Sequence, residues 1–293
     1  MSKPYICGFT MVRNAVKYDY PIVESITSIL PIVDEYVVAV GNSDDATLEL
    51  IKNIGSPKIK IIETVWDDSL REGGKVLAVE TNKAFDAIGD RADWCFYLQG
   101  DEVVHEKYFD EILSGCSTYK DDKRVDGLLF NYEHFYGSYD YVGDSRTWYR
   151  KEIRIIRNDK SIRSYRDAQG FRKDGEKLQV KQIEASIFHY GWVKDPRFQQ
   201  AKQESFHKMW HDDNWMKENV ADANEFDYST IDSLKKFEGT HPKVMEQRLK
   251  RMNWAFNWDT SKKKFKLKER VLYWIEKTTG KRLFEYKNYK LIK

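Results

Sequence analysis

The stretch Trp94-Cys95-Phe96-Tyr97-Leu98-Gln99-Gly100-Asp101-Glu102 decides the reading of this chain. An unbroken apolar and aromatic run stops at a short polar turn and two adjacent carboxylates. The run has the length and composition of a buried strand. Its acids then fall at the strand's C-terminal end, which in an open α/β sheet is the edge where ligands bind. Ionised carboxylates there are costly unless a cation meets them, and a divalent metal holding a phosphate does so. A plainer reading of the same residues is an acidic loop that caps the next helix.

Upstream residues supply the rest of a sheet. Tyr5-Ile6-Cys7-Gly8-Phe9-Thr10 is β-rich, and Asp19 and Pro21 then start a helix carrying Ile22, Val23, Ile26, Ile29 and Leu30. Glu35 to Val40 is a second buried strand. It ends in Gly41-Asn42-Ser43-Asp44-Asp45-Ala46-Thr47, a turn that caps a helix bearing Leu48, Leu50, Ile51 and Ile54. Lys58 to Ile62 is a third strand, and Lys75 to Ile88 is a helix stopped by Gly89. Strands alternating with helices predict a parallel sheet with crossover helices. The glycine pattern of a dinucleotide fold is missing, and so is a Walker loop.

Four motifs in this order resemble the family 2 glycosyltransferases, which have a GT-A fold. They are Met11-Val12-Arg13-Asn14 after the first strand, Asp34-Glu35-Tyr36-Val37-Val38 leading to Ser43-Asp44-Asp45-Ala46-Thr47, Thr81-Asn82-Lys83-Ala84 on a helix, and Gln99-Gly100-Asp101-Glu102 where the family carries its metal motif. The likeness covers about residues 5–105 and is weaker to about 200. It implies an α/β, GT-A type fold with a mostly parallel central sheet flanked by helices. Donor-binding residues implied by it are Thr10, Arg13, Asn14, Asp45, Asn82, Gln99 and Asp101. Three positions depart from the pattern: Val40 where an acid often reads the donor base, Ala15 where a Glu commonly follows the Asn, and Gln99 in place of the first acid of the metal motif. An amide can accept a hydrogen bond or touch a metal, but it carries no charge.

The later sequence adds three candidates. Ile187-Phe188-His189-Tyr190-Gly191-Trp192 is an apolar strand ending at His189, which as a neutral imidazole would join Asp101 in holding manganese or magnesium. The alternative is a core histidine bonded to a backbone carbonyl. Gly191 beside it would let a phosphate or sugar approach closely. Asp167, in Ser164-Tyr165-Arg166-Asp167-Ala168-Gln169, stands where the resemblance implies an acceptor base. Glu152 and Asp144 are its reserves, and a turn-forming role is its alternative. Phe135 to Arg150 reads as a loop. From Asp195 to Asn257 the pattern reads as helical and aromatic, with Phe198, Phe206, Met209, Trp210, Trp215 and Met216 on one face and Trp254, Phe256 and Trp258 following. Such rings stack on sugars, but packing between an appendage and the sheet is the more ordinary role.

Composition sets bounds. The 293 residues carry a formal net charge of +2, which gives no field for nucleic acid. Charge is uneven, with twelve Lys or Arg and three acids from Ser261 to Lys293. Three cysteines in apolar contexts make no disulfide framework and suggest a reducing compartment. No apolar run spans a bilayer. These features predict a cytoplasmic protein, with the tail from Arg270 to Ile292 able to touch the inner face of a membrane. They predict a catalytic domain over 1–195 and a helical extension over 196–293, basic from 261. The function expected is metal-dependent transfer of a sugar from a nucleotide-diphosphate sugar to a hydroxyl of a polysaccharide or glycolipid. A non-catalytic nucleotide-sugar or glycan-binding scaffold and a nucleotidyltransferase are the rivals. The nucleotidyltransferase usually needs a Gly-rich first loop, and residues 10–14 contain no glycine.

Overall fold

The computed structural model describes residues 3–70, 73–211, 214, 215, 218 and 223–293. The opening stretch is a strand, β4 (Trp94–Tyr97), hydrogen-bonded parallel to β1 (Ile6–Val12). β1 pairs parallel with β2 (Glu35–Gly41), and β2 with β3 (Ile59–Thr64). Three helices connect them: α1 (Ile22–Ile29), α2 (Thr47–Lys52) and α3 (Lys75–Asp86). β4 shows why such strands read as continuous apolar runs. Trp94 and Phe96 enter one core with Ile22, Ile26 and Ile29 of α1, while Cys95 and Tyr97 enter the other with Val76 and Phe85 of α3. Both faces are covered, so neither can be polar. This is the α/β class expected, with a parallel central sheet flanked by helices.

Beyond β4 the sheet continues with mixed direction. β5 (Glu102–Val104) follows directly, then α4 (Phe109–Thr118). β6 (Gly127–Tyr136), β7 (Ser138–Gly143) and β8 (Lys151–Arg157) extend the sheet antiparallel in the order β7-β6-β8-β4. β9 (Ile162–Tyr165), β10 (Gly170–Lys173) and β11 (Glu176–Lys177) form a separate small sheet. The 14-residue β12 (Gln179–Trp192) runs parallel to β6 and antiparallel to β5.

Two expectations are corrected here. Phe135 to Arg150 is not all loop: β6 and β7 make a hairpin through Gly137, whose φ of +72° suits glycine. Its aromatic residues are inward strand positions, with Phe135, Tyr136, Tyr139 and Tyr141 all buried. Nor are the described residues of 195–257 mainly helical. α5 (Pro196–Lys208) is capped by Asp195, β13 (Leu234–Lys236) adds an edge to β7, and α6 (Glu246–Lys250) is short. Trp254 donates from Nε1 to the Gly137 carbonyl at 2.7 Å, and Phe256 lies against Tyr141. These two rings pack the appendage onto the hairpin. Met216 lies outside the described residues. α7 (Leu267–Thr279) and β14 (Lys290–Leu291) close the chain, with β14 parallel to the start of β12. Among the described residues no helix is long and apolar enough to cross a membrane.

Candidate functional site

The edge at the end of β4 opens on a cavity of about 820 Å³, within the range of small-molecule sites. A tight turn builds its floor: the Glu102 backbone N–H donates to the Gln99 carbonyl at 3.0 Å. The turn sends two adjacent acids opposite ways. Asp101 lines the cavity. Glu102 points into the core, where Arg154 grips it with two bonds of 2.7 Å, both side chains fully buried. The Tyr132 hydroxyl also donates to Glu102. The pair of acids expected at the edge is therefore one acid and one buried ion pair.

Strand pairing brings His189 to Asp101. β12 runs antiparallel to β5 with His189 opposite Glu102, and the Tyr190 N–H donates to the Asp101 carbonyl at 2.8 Å. His189 Nε2 ends 3.7 Å from Asp101 Oδ1. Its tautomer follows from its partners. His134 Nε2 sits 2.9 Å from the Tyr149 carbonyl, so that nitrogen carries the proton. His134 Nδ1 is 3.2 Å from His189 Nδ1 and must accept from it. Burial lowers the pKa of both imidazoles, keeping them neutral. His189 Nε2 then presents a lone pair toward a carboxylate oxygen, with no donor between them. Two facing acceptors fit a cation. The cradle is tight: a Cβ at Gly191 would lie 2.6 Å from His189 Nε2 and 2.7 Å from Asp101 Oδ2.

The other Asp101 oxygen is occupied. Lys202 of α5 donates from Nζ to Asp101 Oδ2 at 3.0 Å and to the Gly191 carbonyl at 2.9 Å. Burial would raise the Asp101 pKa, but Lys202 above all, with Lys194 further off, holds it well below the ordinary carboxylate range. Among the described residues no group of three or more His, Cys, Asp or Glu side chains could hold a metal. A cation between Asp101 and His189 would need further oxygens from a ligand or water, as manganese and magnesium commonly take.

Of the other expected residues, Arg13, Asn14, Gln99 and Asp167 line the same cavity. Asn14 has φ +56°, which asparagine tolerates, and its Oδ1 accepts from the Asp44 N–H at 2.9 Å, tying the first loop to the turn after β2. Arg13 forms a two-bond pair with Asp68 beside Trp66. Asp167 is half-buried and burial raises its pKa. Thr10, Asp45 and Asn82 do not line the cavity. Thr10 is fully buried. Asp45 Oδ1 accepts from the Thr47 N–H at 2.9 Å and Oδ2 from the Lys17 N–H at 2.8 Å. Asn82 Oδ1 accepts from the Ser164 N–H at 2.9 Å, joining α3 to β9. Asp45 and Asn82 thus each bond backbone N–H groups of neighbouring segments. Asp144 is bound to Lys263, Lys277 and Tyr273 and is no free base.

Sequence reasoning missed Lys202, Trp66 and Tyr149, all of which line the cavity. Trp66 carried a usable signal, since it follows β3 directly before Asp67-Asp68 and so falls at the same sheet edge. Its indole N–H is buried without a partner, and it lies so close across Gly41 that a Cβ there would clash at 2.3 Å.

No family model and no curated protein matches the chain. Solved structures similar to it include S. aureus TarS 1-349 in complex with UDP-GlcNAc, at 14% identity and TM-score 0.38, covering 69% of this chain and 65% of that one. Glucosyl-3-phosphoglycerate synthase from Mycobacterium tuberculosis, in complex with Mn2+, UDP and phosphoglyceric acid, is 15% identical at TM-score 0.30, over 45% of this chain and 43% of that one. 4-diphosphocytidyl-2C-methyl-D-erythritol synthase from Anaerococcus prevotii DSM 20548 is 9% identical at TM-score 0.35, over 53% and 71%. The chain thus spans less than two thirds of the first two.

Proposed function

We propose that the chain is a GT-A type glycosyltransferase that moves a sugar from a nucleotide-diphosphate sugar to an acceptor hydroxyl. The observation that carries this reading is the Asp101–His189 pair facing a large cavity at the C-terminal edge of a parallel sheet, with Lys202 beside it. Asp101 and His189 would hold a divalent cation, Mn2+ or Mg2+, which when bound offsets charge developing on the leaving diphosphate. Lys202 adds a fixed positive charge at the same place. Arg13, Asn14 and Gln99 would line the donor, with Trp66, under the Arg13 guanidinium, forming part of the same wall. Asp167, half-buried and with its pKa raised by burial, would take the acceptor's proton as the carboxylate. Inversion at the anomeric carbon follows from the family resemblance alone.

The acceptor would be a polysaccharide or glycolipid, and the C-terminal helix supports work beside a membrane. Leu267, Val271 and Trp274 lie on one face of α7 and are 78%, 51% and 65% exposed, within the basic tail. That is the pattern of a helix that rests on anionic lipid.

Calorimetry with a panel of nucleotide sugars, with and without manganese, tests the reading. One donor should bind, more tightly with the metal, and should turn over. Asp101→Ala should lose the metal-dependent gain in affinity while keeping the melting temperature. Binding without turnover would support a scaffold instead, and no donor binding would overturn the proposal.

A further inference from the structure

A second cavity, of about 570 Å³, shares Tyr149, Asp167 and Gln169 with the first. The two chambers therefore meet at the proposed base. The second is lined quite differently. Arg146, Arg150, Arg166, Arg282, Lys75 and Lys151 line it, against only Glu152, Asp167 and Glu285 among the acids. One of these acids carries reduced charge: burial pushes Glu152 up to about 7, Arg154 pulling the other way; burial also raises Asp167.

The arginines are under-compensated. One buried carboxylate, Glu276, serves three of them: Arg146 at 2.8 Å, Arg282 at 3.6 Å, and Arg150. Arg282 Nη1 is buried without a hydrogen-bond partner, its nearest acid being Glu285 at 3.4 Å. Trp210, on the same wall, has a buried indole N–H with no partner. Buried donors left unpaired in a cavity call for an acceptor there. Tyr165 and Tyr286 are exposed beside them, with the Arg166 and Arg172 guanidinium groups over the Tyr165 ring and Lys177 over Tyr286.

We propose that this chamber is the acceptor subsite of the transferase and that it takes a hydroxylated acceptor carrying a phosphate. The arginines hold the phosphate, and the hydroxyl is left at Asp167, where the two chambers meet. This rests on the donor reading above. Guanidinium pairs with phosphate in a two-bond fork, which is why arginine and not lysine dominates this wall.

The test is binding without a donor. Glucose 6-phosphate, glycerol 3-phosphate, their unphosphorylated parents and inorganic phosphate are titrated into the full chain by calorimetry, with UDP titrated in parallel. The expected result is that one phosphorylated compound binds about ten-fold or more tightly than its parent and than inorganic phosphate. Arg150→Gln should remove most of that preference and Arg150→Lys should keep part of it, because the Arg150 side chain is 49% exposed and its loss should not unfold the chain. Equal affinity for phosphorylated and parent compounds overturns the proposal, as does a preference unchanged in both Arg150→Gln and Arg166→Gln. Inorganic phosphate binding as tightly as the best compound also overturns it. Nucleotide binding separates the outcomes: UDP or another nucleoside diphosphate bound with no phosphate preference defeats the acceptor subsite alone, and no binding of UDP or of any donor in the nucleotide-sugar panel defeats the donor reading.

Discussion

Asp45 holds the turn after β2 by accepting from the backbone N–H groups of Thr47 and Lys17. The motif that suggested a donor contact here holds the turn that leads into α2. Asp45→Ala removes both acceptor oxygens, so a stability loss of about 1–2 kcal/mol is expected with donor affinity unchanged. Urea denaturation paired with donor titration checks both halves. Weakened donor binding at unchanged stability would return Asp45 to the site. Glu102 is the opposite case in magnitude. Removing its charge leaves Arg154 buried and unpaired, which costs about 3–5 kcal/mol. Glu102→Gln should show a large fall in the urea midpoint, and a midpoint equal to wild type would show that the pair contributes little. Arg154→Met with Glu102→Gln should recover much of the loss, since both charges then leave together.

At the scale of elements, α7 is fastened by side chains as well as by packing. Asp144 at the end of β7 accepts from Lys263 at 2.8 Å, Lys277 at 2.7 Å and Tyr273 at 2.6 Å. Burial pushes the Asp144 carboxyl up, but these three partners pull it down to about 2. Its folded value is thus below the ordinary ~3.9 of an unfolded chain. The bond set is complete above about pH 4 and is lost as pH falls toward about 2. Asp144→Asn at pH 7 should therefore expose the segment from Asp259 to Leu267 to trypsin while the sheet survives, and the difference from wild type should vanish near pH 2, read with pepsin. Equal cleavage at pH 7 would show that packing and the Glu276 ion pairs hold α7 without Asp144. The outer face of the same helix gives a separate expectation. The chain should sediment with vesicles containing phosphatidylglycerol and not with neutral ones, and Val271→Glu with Trp274→Glu should abolish this. Sedimentation that ignores lipid charge or survives both changes would remove the membrane contact.

At the scale of the whole molecule, what was legible follows from where each constraint acts. The strands and helices up to Leu98 could be read because each parallel strand is apolar on both faces and bounded by turn residues. The place of Asp101 could be read because a strand's end fixes a residue at an edge; His189 instead lies inside β12, which continues to Trp192, and reaches Asp101 through the pairing with β5. Lys202 could not, since one lysine on a mixed helix says nothing about where that helix docks. The Glu102–Arg154 pair joins residues 52 apart in the chain, and no local pattern records it. The hairpin of β6 and β7 was hidden because tyrosine and glycine serve loops and inward strand positions equally well. The turn that parts Asp101 from Glu102 has one more consequence. In a pooled screen scored by growth alone, changes at the two positions would be depleted alike. Only a parallel count of protein abundance would tell them apart: cells with altered Asp101 would keep a normal amount of inactive protein, and cells with altered Glu102 would keep little protein of any kind.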